Sequence, residues 1–242
     1  RDMKILLANA RLSEKSALGY EKISGLMYKM LQSFDAIAAQ SKEDADRLQA
    51  LGADIEELKV TGSLKFHVQK NGGLNSDEPF FDAIKASNRV VIIAASTREG
   101  EEEKVLEAYK DVQSKNSNVL LLLVPRHPER FDEVAALCER SQLQTMRRSL
   151  PQPAINDMKI IVGDSMGEMA RYYSVANIAF VGGSLVNTGC QNVLEPAAFA
   201  LPILVGPSQF NFAQICNQLE SAGGMLTVSD ERGLTASLNQ LV

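Results

Sequence analysis

Short runs of apolar residues with no polar alternation recur along this chain, and nothing constrains its fold more. They fall at 4–8, 36–39, 58–60, 90–94, 119–124, 159–162, 178–181, 203–205 and 225–228. A strand with one wet face alternates apolar and polar side chains. A run that stays apolar throughout belongs to a strand covered on both faces. Between the runs lie amphipathic stretches of helical period, clearest at 41–51, 99–114 and 130–140. Strand and helix in alternation give an α/β fold, a Rossmann-like doubly wound parallel sheet. The closing stretch, DERGLTASLNQLV, reads as a helix that begins and then stops.

Composition narrows the function. The 242 residues are 45% hydrophobic, enough for one large or two modest cores. A net charge of −5 and the absence of tryptophan disfavour a nucleic-acid partner, which calls for a basic face or a stacking platform. The three cysteines, Cys138, Cys190 and Cys216, are far apart and unpaired in spacing, which fits a reducing compartment and no structural zinc. His67 and His127 are isolated, so no metal site is expected, and no cofactor motif is present. The longest apolar run has six residues, far short of the roughly 20 that span a bilayer. The acidic DAD at 44–46 lies in a charged helical stretch and reads as a solvated face rather than a metal motif.

Periodicity fails at VQKNGGLNSDEP, so a linker is expected at 69–79. It separates an N-terminal portion, 1–68, with too few strands for a complete doubly wound domain, from a portion of suitable size, 80–242.

Open parallel sheets bind ligands at the carboxyl ends of their strands, and four such exits carry unusual residues. In IIAASTREGEEE, Ser96 or Thr97 serves either as a cap for the following helix or as part of an anion site. In LLLLVPRHPERF, Pro125 and Arg126 follow the most apolar strand, and a guanidinium there suits a phosphate or a surface carboxylate equally. In IIVGDSMGEMARYY, Met166, Gly167 and Glu168 start a helix. Gly167 admits a ligand to the backbone, and Ser165 with Glu168 also matches a capping box. In FVGGSLVNTGCQNVLEPAAFALPILVGP, three glycines free the loop and Asn192 caps a helix. Glu195 then sits in the first turn, where it either complements the positive helix end or accepts from two neighbouring hydroxyls such as those of a ribose.

Taken in order, NARLSEKSALGY, VTGSLKF, VPRHPERF, GDSMGEMARYY, the long glycine stretch and FNFAQIC resemble the bacterial Kdo transferases. These enzymes add 3-deoxy-D-manno-octulosonic acid (Kdo) to the lipid A precursor. The resemblance covers nearly the whole chain. It implies a GT-B fold of two Rossmann-like domains, with CMP-Kdo held by the C-terminal one and a lipid A precursor as acceptor. It places CMP against Pro125, Arg126, Met166, Gly167, Glu168, Asn192, Val193, Leu194 and Glu195, with Glu195 on the ribose and Arg126 on the phosphate. Ser96, Thr97 and Lys65 fall within reach of the sugar or phosphate.

The resemblance also implies an inverting, metal-independent transfer at the cytoplasmic face of the inner membrane, reached through an N-terminal anchor. By that likeness the chain is expected to begin where the family's N-terminal domain is finishing, without its catalytic base, and so to bind donor without turning over. The first 32 residues hold six Lys or Arg against three Asp or Glu, a local excess that faces either anionic lipid or plain solvent. Rival readings are a UDP-sugar transferase or epimerase, and a non-catalytic Rossmann-like binding domain.

Overall fold

The computed structural model describes residues 3–62, 78–150 and 155–242. The chain divides into two compact units, Arg1–His67 and Val68–Val242. Most of the expected linker, and Lys65 with it, lies outside the described residues.

The first unit is a three-stranded parallel sheet in the order β1 (Leu6–Ala10), β2 (Ala36–Ala39), β3 (Leu58–Val60). Helices α1 (Glu14–Glu21) and α2 (Ser24–Leu31) join β1 to β2, and α3 (Lys42–Ala50) joins β2 to β3. Met27, Leu31, Ile37, Ala45 and Leu48 close its core. Asp44 corrects the reading of 44–46 as a solvated face. It is buried and accepts hydrogen bonds from the Leu12 backbone (2.8 Å) and the Ser41 hydroxyl (2.9 Å), tying α3 to the β1 exit. Asp46 alone of the pair is a surface group, facing Lys42 at 3.1 Å.

The second unit is a seven-stranded parallel sheet. Its strands are β4 (Val90–Thr97), β5 (Val119–Pro125), β6 (Thr145–Arg147), β7 (Ile160–Val162), β8 (Ile178–Val181), β9 (Ile203–Val205) and β10 (Met225–Thr227). They lie in the order β10-β9-β8-β4-β5-β7-β6. From β4 the chain lays β5, β6 and β7 on one side, with β7 slotting between β5 and β6, then returns to lay β8 on the other. β4 is therefore the switch point where a crevice opens.

Helices cover both faces, which is why β5 is apolar at every position. Leu121 and Leu123 point to one core with Val105, Tyr109 and Val134 of α5 (Glu102–Lys115) and α6 (Phe131–Arg140). Leu120 and Leu122 point to the other, with Phe80, Phe81 and Tyr172 of α4 (Pro79–Ala86) and α7 (Met169–Val175). The helices α8 (Leu194–Ala198) and α9 (Ala213–Ser221) pack a third cluster against β8 and β9.

Two expectations need correction. The closing stretch does not stop short: α10 runs Glu231–Leu241, capped by the Asp230 side chain on Gly233 N–H, and buries Leu234 and Leu238. Strand β6 was not anticipated, because Thr145-Met146-Arg147 carries one buried apolar residue. It is an edge strand, fixed by its neighbour and by Asp164 rather than by its own pattern. Asp164 accepts from Ser149 N–H (2.8 Å) and Arg147 (2.7 Å). Burial pushes this carboxyl up, and the Ser149 and Arg147 bonds outweigh that and hold it below its usual value.

Candidate functional site

The exits of β4, β5, β7 and β8 line one cavity of about 250 Å³. Its wall includes Ser96 from β4, Pro125 and Arg126 from β5, and Met166 and Gly167 after β7. Gln191, Asn192 and Glu195 come from the loop after β8 and the start of α8.

At the β4 exit the pairing with β5 slips between Ala95 and Thr97, and Ser96 between them takes φ +56°. A side-chain-bearing residue in the left-handed region costs about 1–3 kcal/mol and persists where surroundings enforce it. Here β8 enforces it: a Cβ on Gly182 would meet Ser96 O at 2.5 Å and Thr97 Cα at 2.6 Å. Ser96 and Thr97 are thus strand residues and not helix caps. The N-cap of α5 is Glu101. Thr97 turns inward, and no partner for its buried hydroxyl is found among the described residues.

Arg126 lies exposed at the mouth, where its Nε donates to Gln191 Oε1 at 3.3 Å and its backbone N–H to Thr97 O at 3.0 Å. After β7, α7 begins at Met169, so Met166, Gly167 and Glu168 form the turn before the helix instead of its first turn. Gly167 has φ +80°, the left-handed conformation that glycine adopts freely, and Met166 beside it is 64% exposed. Glu168 does not line the cavity. Its carboxylate pairs with Arg148 at 3.0 Å and accepts from the Ser165 hydroxyl, so the Ser165–Glu168 pattern makes a side-chain bond rather than a capping box.

Asn192 does not cap α8 as N-cap, a position held by Val193. It accepts from Leu194 N–H at 3.1 Å and donates to Glu195 Oε1 at 3.0 Å. Val193 and Leu194 turn away from the cavity. They are buried with Val181, Ile203 and Ile215, because a five-residue helix holds its place only by an apolar flank. Pro196, in the first turn, costs no helical hydrogen bond. Burial pushes the Glu195 carboxyl above its usual value, against the pull of the Asn192 amide and the Arg126 charge.

Sequence reasoning passed over Gln191, Tyr172 and Tyr173, which also line the cavity, as does Ser165, read there only as a cap. It also passed over Glu101, fully buried behind the glycine loop. The run Glu101-Glu102-Glu103 reads as a complement to a helix dipole, and no local signal separates the inward glutamates from the exposed one.

Residues 1–68 match the family described as 3-deoxy-D-manno-octulosonic-acid transferase (kdotransferase). A curated 3-deoxy-D-manno-octulosonic acid transferase of Haemophilus influenzae is 40% identical over 99% of this chain and 57% of its own length. The chain thus spans little more than half of that relative. Among solved structures, the C-terminal CMP-Kdo binding domain of WaaA from Acinetobacter baumannii is 34% identical, with TM-score 0.61, over 66% of this chain and 89% of that domain. The S. aureus MnaA–UDP co-structure, at 16% identity and TM-score 0.54, matches 98% of this chain and 58% of its own, a likeness of fold alone. On a sequence likeness that takes in nearly all of a solved domain, the chain belongs to the 3-deoxy-D-manno-octulosonic acid transferase family.

Proposed function

We propose that this chain forms the donor side of an inverting glycosyltransferase that moves Kdo from CMP-Kdo to a lipid A precursor. The observation that carries the reading is the convergence of four strand exits on one cavity, with a cation at its mouth and a carboxylate inside. In this reading Glu195 accepts from the two ribose hydroxyls, with Asn192 fixing the orientation of its oxygens. Arg126 neutralises the phosphate, steered by Gln191. The open backbone at Met166 and Gly167 receives the cytosine or phosphate. Attack by the acceptor hydroxyl on the anomeric carbon, with its proton passing to a general base, then breaks that carbon's bond to the phosphate oxygen and expels CMP, whose charge Arg126 stabilises as it develops. The acceptor, and work at the cytoplasmic face of the inner membrane, belong to the same proposal. Among the described residues no helix is long and apolar enough to cross a membrane.

Calorimetric titration tests the nucleotide. CMP should bind and UDP should not. Glu195→Ala and Arg126→Ala should each lose about ten- to a hundredfold in affinity, the worth of a hydrogen bond to a charged group at about 1.5–3 kcal/mol. Equal binding of CMP and UDP would favour a UDP-sugar enzyme, and binding of neither would leave a non-catalytic domain.

A further inference from the structure

One buried carboxylate takes no part in lining the cavity yet holds the loop that does. Glu101 accepts four backbone N–H hydrogen bonds. Its Oε2 takes Arg98 (2.9 Å) and Gly183 (2.6 Å), and its Oε1 takes Ser184 (3.0 Å) and Leu185 (2.8 Å). Successive N–H groups aimed at one point form an anion nest, the device by which glycine-rich loops hold phosphate. Here the chain's own side chain occupies it.

The geometry runs outward from there in short steps. Gln191 N–H donates to Gly182 O at 2.9 Å, and the Thr188 hydroxyl donates to Gly183 O at 3.2 Å. Glycine is required at 183, where φ is +76° and an added Cβ would strike Gly189 O. Gln191 in turn holds Arg126.

We propose that Glu101 is a positioning residue of the nucleotide site: an internal anion that fills the glycine-loop nest and thereby sets Gln191 and Arg126. This rests on the cavity being the nucleotide's. It follows that the N–H groups of 183–185 are already committed and do not reach a ligand phosphate, which is left to Arg126. Glutamine cannot replace Glu101, because its NH2 would face two N–H donors with no acceptor between them.

The test uses the full chain and the variants Glu101→Ala, Glu101→Gln and Glu103→Gln, the last an exposed neighbour on the same helix. Amide hydrogen exchange and CMP titration are both read. The expected result has two parts. Exchange accelerates at Gly183, Ser184, Leu185 and also Gln191 in both Glu101 variants, and CMP affinity falls about tenfold or more. Formate added to Glu101→Ala should restore part of that affinity where chloride at equal ionic strength does not, a rescue that loss of packing alone would not give. Glu103→Gln should match the unsubstituted chain. Unchanged Gln191 exchange, or unchanged CMP affinity, in the Glu101 variants overturns the proposal. If Glu101→Ala does not fold, Glu101→Asp takes its place under the same criteria. Failure of the unsubstituted chain to bind CMP sinks the nucleotide reading instead, while the exchange data still decide whether Glu101 holds the loop.

Discussion

Glu195 is where chemistry and stability pull apart. Its folded value is raised above the ordinary 4.5 by burial, so ionising it costs more in the folded state than in the unfolded one. Its contribution to stability is therefore complete in acid, below the ordinary carboxyl value, and is lost as pH rises through the raised one. Glu195→Gln should match the unsubstituted chain near pH 4 and melt higher at pH 7–8, as thermal unfolding across that range will show. The same variant should bind CMP more weakly, by about tenfold, because an amide oxygen is a poorer acceptor for hydroxyls than a carboxylate. A melting difference of the opposite sign would mean that Glu195 is ionised at no cost in the folded chain. Cys138 behaves differently: burial pushes its thiol up to about 12, so it packs as a small apolar side chain.

At the scale of elements, glycines with opposite surroundings give opposite expectations. Gly182 follows β8 where the chain touches the β4 exit, and a methyl there collides with backbone that cannot yield. Gly182→Ala should cost about 1–3 kcal/mol in urea unfolding and disturb Ser96, a cavity residue. Gly19 sits inside α1 with nothing within 4 Å of an added Cβ. Gly19→Ala should raise the stability of the first unit by about 0.5–1 kcal/mol, since alanine loses less backbone freedom on entering a helix. Similar effects from both changes would undo the claim that the β4–β8 approach is tight.

For the whole molecule, two units with separate cores imply two unfolding steps. The cavity residues all belong to the second unit. CMP at a hundred times its Kd should therefore stabilise that unit by about 2.7 kcal/mol and raise its transition by about 5–10 °C, leaving the other unmoved. Differential scanning calorimetry resolves the two. A shift of the first unit's transition alone would place the nucleotide elsewhere.

The sequence by itself determined the parallel α/β fold, because a strand covered on both faces must be apolar at every position, as 119–124 and 178–181 are. It also marked the strand exits, since Gly182, Gly183, Arg126 and Glu195 stand out against apolar runs. Tertiary structure alone decided which side chains turn inward. Val193 and Leu194 stand beside Glu195 in the chain yet face the core. Glu101 and Glu103 are the same residue type two positions apart, and one is sealed under a loop more than 80 positions away. Strand β6 exists because β7 offers it an edge. Local pattern records which residues avoid water, but partners distant in sequence are chosen only when the sheet closes around them.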